Sequence, residues 1–243
     1  MSTVTTLLSP KGGERKDMEI LTVDNPKFNK NLPMDYLTAG LSLSPADSSG
    51  KSVCPPKFCW SCKFECLDRA GRGTMQVVQD ARIRRTNLFF NKPKEFWHLI
   101  QKDIDTALNN RRGLKVCIRM NVYSDLPWER IKVHGTKKSI MELYPHVQFY
   151  DYTKVPKRVV PDNYHLTFSL SADNDREAME EVYEYGRNLS VVTWKRPRKF
   201  YGITTVDGDK HDLTFLRPYP RVLALKPKGA MKNNTNGFVR GKR

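Results

Sequence analysis

From Lys115 onward the chain alternates short apolar runs with stretches of helical spacing. KVCIRMN (115–121), VQFYDY (147–152), YHLTFS (164–169), LSVVTW (189–194) and RVLALK (221–226) read as buried strands. Between them, Trp128–Leu143 and Asp173–Gly186 have helical periodicity, the second with an N-cap residue at its start and a glycine near its end. Upstream, YLTAGLSLS (36–44) alternates as a strand does. Two helices follow it: Thr74–Phe90, with Val77, Val78, Ala81, Ile83, Leu88 and Phe89 available for burial, and Lys94 to about Arg111, entered through Pro93 and ended near Gly113. Phe200–Leu216 predicts a hairpin turning at Asp207-Gly208. Strands alternating with helices imply an α/β fold with a parallel sheet, and six principal strands suit a partial β/α barrel better than a closed eightfold one. The expected organisation is an irregular segment over 1–34, one barrel-like domain over 35–229, and a basic tail over 230–243.

Four cysteines fall in one short loop, Cys54, Cys59, Cys62 and Cys66, directly after the first strand; the fifth, Cys117, lies inside a strand and reads as a small core residue. The spacing C-x4-C-x2-C-x3-C brings four soft thiolates close enough to surround a tetrahedral zinc or an iron-sulfur cluster. Structural zinc usually draws two ligand pairs from separated turns, whereas cluster ligands often share one loop, so a [4Fe-4S] cluster is the expected cofactor and zinc the alternative. A zinc knuckle would normally include a histidine, and all five histidines lie outside the loop. Phe58, Trp60 and Phe64 alternate with the cysteines as an apolar shell would. Two disulfides or inert buried thiols are the plainer readings, and a reducing cytoplasm counts against the disulfides.

A loop after the first strand lies at the carboxyl edge of a parallel sheet, where ligands bind. Polar residues follow the later strands at the same edge: Asn121, Ser124 and Asp125, then Asp151, Thr153 and Lys154, then Ser169, Ser171 and Asn174. Each taken alone is a turn former or a cap; together Asn121, Ser124, Asp125, Asp151, Lys154, Ser169 and Asn174 make a candidate pocket. Asp207 and Asp209 resemble a carboxylate pair, although a DGD turn needs no catalytic role. No nucleophile motif, phosphate loop or paired-histidine zinc signature is present, which leaves hydrolase and nucleoside-triphosphatase readings without support.

Charge adds a partner class. Forty-two Lys and Arg against 26 Asp and Glu give a net charge of +16, which favours polyanions, nucleic acid first among them. The excess gathers at Arg82, Arg84 and Arg85, at Lys195, Arg196, Arg198 and Lys199, and in the segment from Arg217 onward. The first thirty residues carry no secretory pattern and no window is long and apolar enough to span a bilayer, so a soluble, non-membrane protein is expected.

A six-stranded partial barrel with its cysteine loop after strand one resembles the radical S-adenosylmethionine enzyme core, in which three cysteines hold a cluster and leave one iron for the cofactor. That family uses C-x3-C-x2-C, whereas Cys54, Cys59 and Cys62 give C-x4-C-x2-C with Cys66 in addition. Gly12–Glu14 (GGE) precedes strand one and does not match the cofactor-binding glycine motif in position. A longer resemblance, from about Leu41 to Val239, is to the bacteriophage gene product 88 family, through LSLSPA, the cysteine loop with AGRG, ARIRRTNLFF, RMNVYSDLPWE, VQFYDYTKVPKR, YHLTFSLS, VDGDKHDL and LKPKGA. Its cysteine pattern, C-x6-C-x3-C, maps onto Cys54, Cys62 and Cys66 with one extra residue, which makes Cys59 the optional member. The resemblance implies a phage protein working in the host cytoplasm. It keeps open a three-cysteine cluster binding S-adenosylmethionine beside Asn121, Asp125, Asp151 and Lys154.

Overall fold

The computed structural model describes residues 20–46, 48–55, 57, 60–217 and 220–242. Residues 1–19 of the segment expected to be irregular at the start, including Gly12–Glu14, lie outside them, as do Phe58 and Cys59; the rest of that segment is not irregular throughout, holding the short strand Leu21–Thr22 and a 3-10 helix over Phe28–Met34. The remainder is a mixed α/β structure on one mostly parallel sheet, in the strand order β1-β2-β3-β4-β5-β6-β9-β8-β7. Its parallel members are β2 (Tyr36–Leu41), β3 (Lys115–Arg119), β4 (Gln148–Thr153), β5 (Tyr164–Ser169), β6 (Leu189–Thr193), β9 (Val222–Leu225) and β8 (Ile203–Asp207). Two short antiparallel strands form the ends, β1 (Leu21–Thr22) on β2 and β7 (Lys199–Phe200) on β8. Among the described residues no ladder joins those ends, so a barrel is not closed.

The side-chain period of two divides the sheet into unlike faces. Ala39, Leu41, Val116, Ile118, Phe149, Tyr164 and Leu166 point to one side, where they pack with Phe96, Trp97, Ile100 and Ile104 of α3 (Pro93–Asn109). Further along, Phe168, Leu189, Val191 and Val222 pack with Ala178 and Val182 of α5 (Asp175–Tyr183). The opposite face carries Thr38, Cys117, Arg119, Tyr150, Tyr152, His165, Thr167 and Ser190, and Asn31 and the 212–215 segment lie over it. Cys117 is fully buried there, with Thr38 Oγ1 3.2 Å from its Sγ.

Several boundaries follow the expectation closely, and four elements do not. Trp128–Leu143 is helical only over α4 (Ile140–Leu143). Trp128 is instead fully buried among Phe89, Phe96 and Trp97 with its Nε1 donating to Asn121 Oδ1 at 2.8 Å, and the Lys132–Ser139 bridge turns the chain through Gly135 at φ 78°. The 200–216 hairpin turns earlier, at Tyr201-Gly202 between β7 and β8, and Asp207-Gly208 instead ends a strand that runs parallel to β9. A Cβ at Gly208 would lie 2.8 Å from Leu225, which accounts for glycine at that crossing.

The helix α2 (Gln76–Asn91) packs Leu88 and Phe89 against the core as expected, but departs from the expected burial elsewhere. Val77 is 64% exposed, whereas Arg82 and Thr86 are its buried residues. Thr86 Oγ1 donates to the Arg82 carbonyl and accepts the Ser44 N–H at 2.8 Å. The tail, finally, is not separate from the sheet: β10 (Val239–Arg240) pairs in parallel with the end of β6, beyond the point where β5 leaves it.

Candidate functional site

The cysteine segment begins where β2 ends and runs along the carboxyl edge. Cys54 sits near the chain leaving β3: its Sγ accepts the Ala46 N–H at 3.5 Å and lies 3.8 Å from the Tyr123 carbonyl. The short helix α1 (Trp60–Phe64) then lies against the end of β5, where Ser61 Oγ donates to Asp173 at 2.9 Å and accepts the Ala172 N–H. Cys62 packs there with Ala172, Val192, Trp194, Met231 and Phe238. Burial pushes the Cys66 thiol up to about 12, against the opposing pull of the Asp68 N–H, with the Asp68 carboxylate and Cys62 adding smaller rises. Among the described residues no three His, Cys, Asp or Glu side chains are disposed to hold a metal ion. Cys59 lies outside those residues, so the four-sulfur set expected from the spacing is not assembled in the described part of the loop.

The expected pocket residues lie at the same edge but are engaged with one another. Asn121 organises the turn after β3: its Oδ1 accepts from Ser124 Oγ, Leu126 N–H and Trp128 Nε1, and its Nδ2 donates to the Leu126 carbonyl. Asp125 accepts the Lys154 N–H at 2.7 Å and the Thr153 hydroxyl at 2.8 Å. Asn174 does the same for the turn after β5, accepting the Ser171 N–H and donating to the Ser169 carbonyl. Only Lys154 and Ser169 reach across strands towards the cysteine segment: Lys154 Nζ donates to Ser169 Oγ at 2.9 Å and stands 5.7 Å from the Phe238 ring centroid. Asp207 and Asp209 are turn residues, with Asp207 Oδ1 accepting the Asp209 N–H and Asp209 paired to Lys228 at 2.8 Å.

Two buried ionic networks flank β4. On the helix-covered side, the Arg158 guanidinium engages both Glu129 oxygens at 3.1 and 2.5 Å and Asp125 at 3.3 Å. Beside it, Asp151 accepts the Asn121 N–H and the Tyr164 hydroxyl, both at 2.8 Å; burial nevertheless raises its carboxyl to about 7, since Arg119 and these donors only partly offset the lost hydration. On the polar face, Asp212 is fully buried and takes Lys27 and Arg119, both at 2.8 Å, and the Tyr152 hydroxyl at 3.1 Å. Burial alone would raise Asp212, but the two cations and the hydrogen bonds outweigh it and hold the carboxyl at about 2. Burial, aided by Arg187, drops His165 on the same face to about 4.

None of Arg158, Glu129, Asp212 or Lys27 was among the expected site residues. Arg119 alone had a visible signal, as a charge directly after the apolar Val116–Ile118 run of a buried strand. The basic runs divide as well. Arg82, expected on a nucleic-acid surface, is 4% exposed and stacks its guanidinium 4.0 Å above Tyr123, because α2 turns that side inward. Arg85 is half-buried and Arg84 exposed, whereas Lys195, Arg196, Arg198 and Lys199 are all exposed after β6.

An open, mostly parallel α/β sheet with one polar face and a cysteine segment across its carboxyl edge defines the class of protein. The chain matches the family described as Gene product 88 over residues 13–242, and it belongs to that phage protein family. No curated protein and no solved structure matches it. Among the described residues no helix is long and apolar enough to cross a membrane.

Proposed function

We propose that this chain is a phage iron-sulfur protein acting in the host cytoplasm, with a [4Fe-4S] cluster on the cysteine segment and nucleic-acid contact through Lys195, Arg196, Arg198 and Lys199. The observation that supports it is the course of the segment, from Cys54 beside the end of β3 to Cys62 against the end of β5. Cluster uptake requires Cys54 to leave its Ala46 and Tyr123 partners and approach Cys62, Cys66 and Cys59. Binding also requires the Cys66 thiol to ionise, which a cation at the site favours.

A second reading, an S-adenosylmethionine enzyme with a three-cysteine cluster, draws on the carboxyl edge: Lys154 and Ser169, which reach towards the cysteine segment, would meet a substrate there. A cluster there would supply one-electron chemistry, while those side chains would bind and orient the substrate.

Anoxic purification separates the cases. The expected product is brown, carries several irons per chain and is bleached by dithionite; colourless protein with one zinc would refute both cluster readings. Cys59→Ala should abolish the colour if four sulfurs are needed and spare it if three suffice.

A further inference from the structure

We propose that a groove at the start of α3 is a phosphate track for single-stranded nucleic acid, separate from the Lys195–Lys199 run and resting on the nucleic-acid reading above. The groove encloses about 500 Å³ between two parts of the chain far apart in sequence, with Lys92, Pro93, Lys94, Glu95 and His98 on one wall and His134 on the other. His134 belongs to a loop that also carries the exposed Lys137 and Lys138, so cations stand on both of the chain segments that border the groove. Lys94, Lys137 and Lys138 are exposed, and among the described residues no carboxylate is paired with any of them. The acids nearby are already engaged, Glu95 with Lys92 at 3.4 Å and Glu142 with Lys132 at 3.1 Å.

The loop is held in place rather than left to solvent. Val133 is 1% exposed and its N–H bonds the Lys138 carbonyl at 2.9 Å, the Thr136 hydroxyl bonds the Val133 carbonyl, and Ser139 and Glu142 close a capping box behind it. Cations displayed on a fixed turn lose little freedom when an anion arrives. Across the groove, Lys92 provides no side-chain cap, and the first intrahelical bond is from Phe96 N–H to the Lys92 carbonyl. The Lys94 and Glu95 N–H groups therefore have no acceptor within the helix, and the positive end of its dipole faces the same anion. Two residues before Lys92, Phe90 is 39% exposed with Lys51 Nζ 5.9 Å from its ring centroid. An exposed ring two residues from the groove-lining Lys92 fits an unpaired base stacked next to its own phosphates, which a duplex would not offer.

The test is fluorescence anisotropy with the full chain and a labelled single-stranded DNA of about fifteen nucleotides, alongside a duplex of equal length. Replacing Lys94, Lys137 and Lys138 together by Gln should weaken single-strand binding about tenfold at moderate salt and flatten the log-log salt dependence by about two, near 0.7 for each phosphate that is no longer neutralised. Phe90→Ala should weaken the single strand and spare the duplex. Unchanged affinity and slope in the triple variant, or wild-type preference for the duplex, would overturn the assignment. If binding is lost only in Arg196→Gln/Lys199→Gln, the groove is wrong while the broader nucleic-acid reading stands; if wild-type protein does not bind at all, both fall.

Discussion

Arg158 is 2% exposed and faces Glu129 and Asp125, themselves almost fully buried. One guanidinium thus compensates two carboxylates that have lost their hydration, and its planar fork matches both Glu129 oxygens at once. Arg158→Met would keep the bulk and remove the charge, leaving uncompensated acids in the interior. We expect a loss of about 3–5 kcal/mol in urea unfolding, with Arg158→Lys intermediate because an ammonium cannot make the bidentate contact. A loss below about 1 kcal/mol would mean that the network contributes little. No local pattern in VPKRVVPD distinguishes Arg158 from the exposed basic residues nearby. Asp125, by contrast, could be placed near the site by its position after a strand, though not recognised as its partner.

The cysteine segment shows how an element depends on contacts that spacing does not encode. A Cβ at Gly73 would lie 2.3 Å from the Asp68 carbonyl oxygen, so the turns at Leu67–Arg69 and Gly71–Thr74 pack only if that position is glycine. Gly73→Ala should therefore force the backbone apart at a cost of about 1–3 kcal/mol. Hydrogen exchange should accelerate over 67–74 while β3 to β5 stay protected; unaltered exchange there would contradict the close approach. The rotation of α2 belongs to the same scale. Apolar spacing offers Val77, Val78, Ala81, Ile83, Leu88 and Phe89 for burial, yet Val77 is exposed while Thr86 satisfies the Ser44 N–H and Arg82 stacks on Tyr123, and those tertiary partners set the helix rotation. The 128–143 segment departs from a helix for a similar reason, since Asn121 draws the Trp128 indole into the core.

Over the whole molecule, the networks give stability opposing dependences on pH. Asp151 is raised to about 7, so the folded state holds a proton that the unfolded chain releases near 4, and its contribution is lost as pH rises through that interval. His165 is lowered to about 4, so its contribution is lost as pH falls from about 6.5, and Asp212, held at about 2, loses its own only below about 4. The first two partly cancel between pH 4 and 7. Asp151→Asn exposes the hidden contribution: relative to wild type, the variant should gain stability steadily from pH 4 to pH 7 in urea titrations. A constant difference across that range would show that Asp151 ionises normally in the fold.

By itself the sequence determined where the central strands lie, because runs such as YHLTFS alternate apolar and polar positions with the period of a strand whatever their partners. It also determined that the cysteine loop follows the first parallel strand, since chain order alone sets that edge. Only the tertiary structure decided which polar residues are sealed in pairs and which remain available. Pairing joins Asp212 to Lys27 and Arg119, and one groove brings Lys94 and His134 together, across chain separations that no local periodicity spans. Burial then turns those juxtapositions into shifted carboxyls on both faces of the sheet, Asp151 raised and Asp212 lowered.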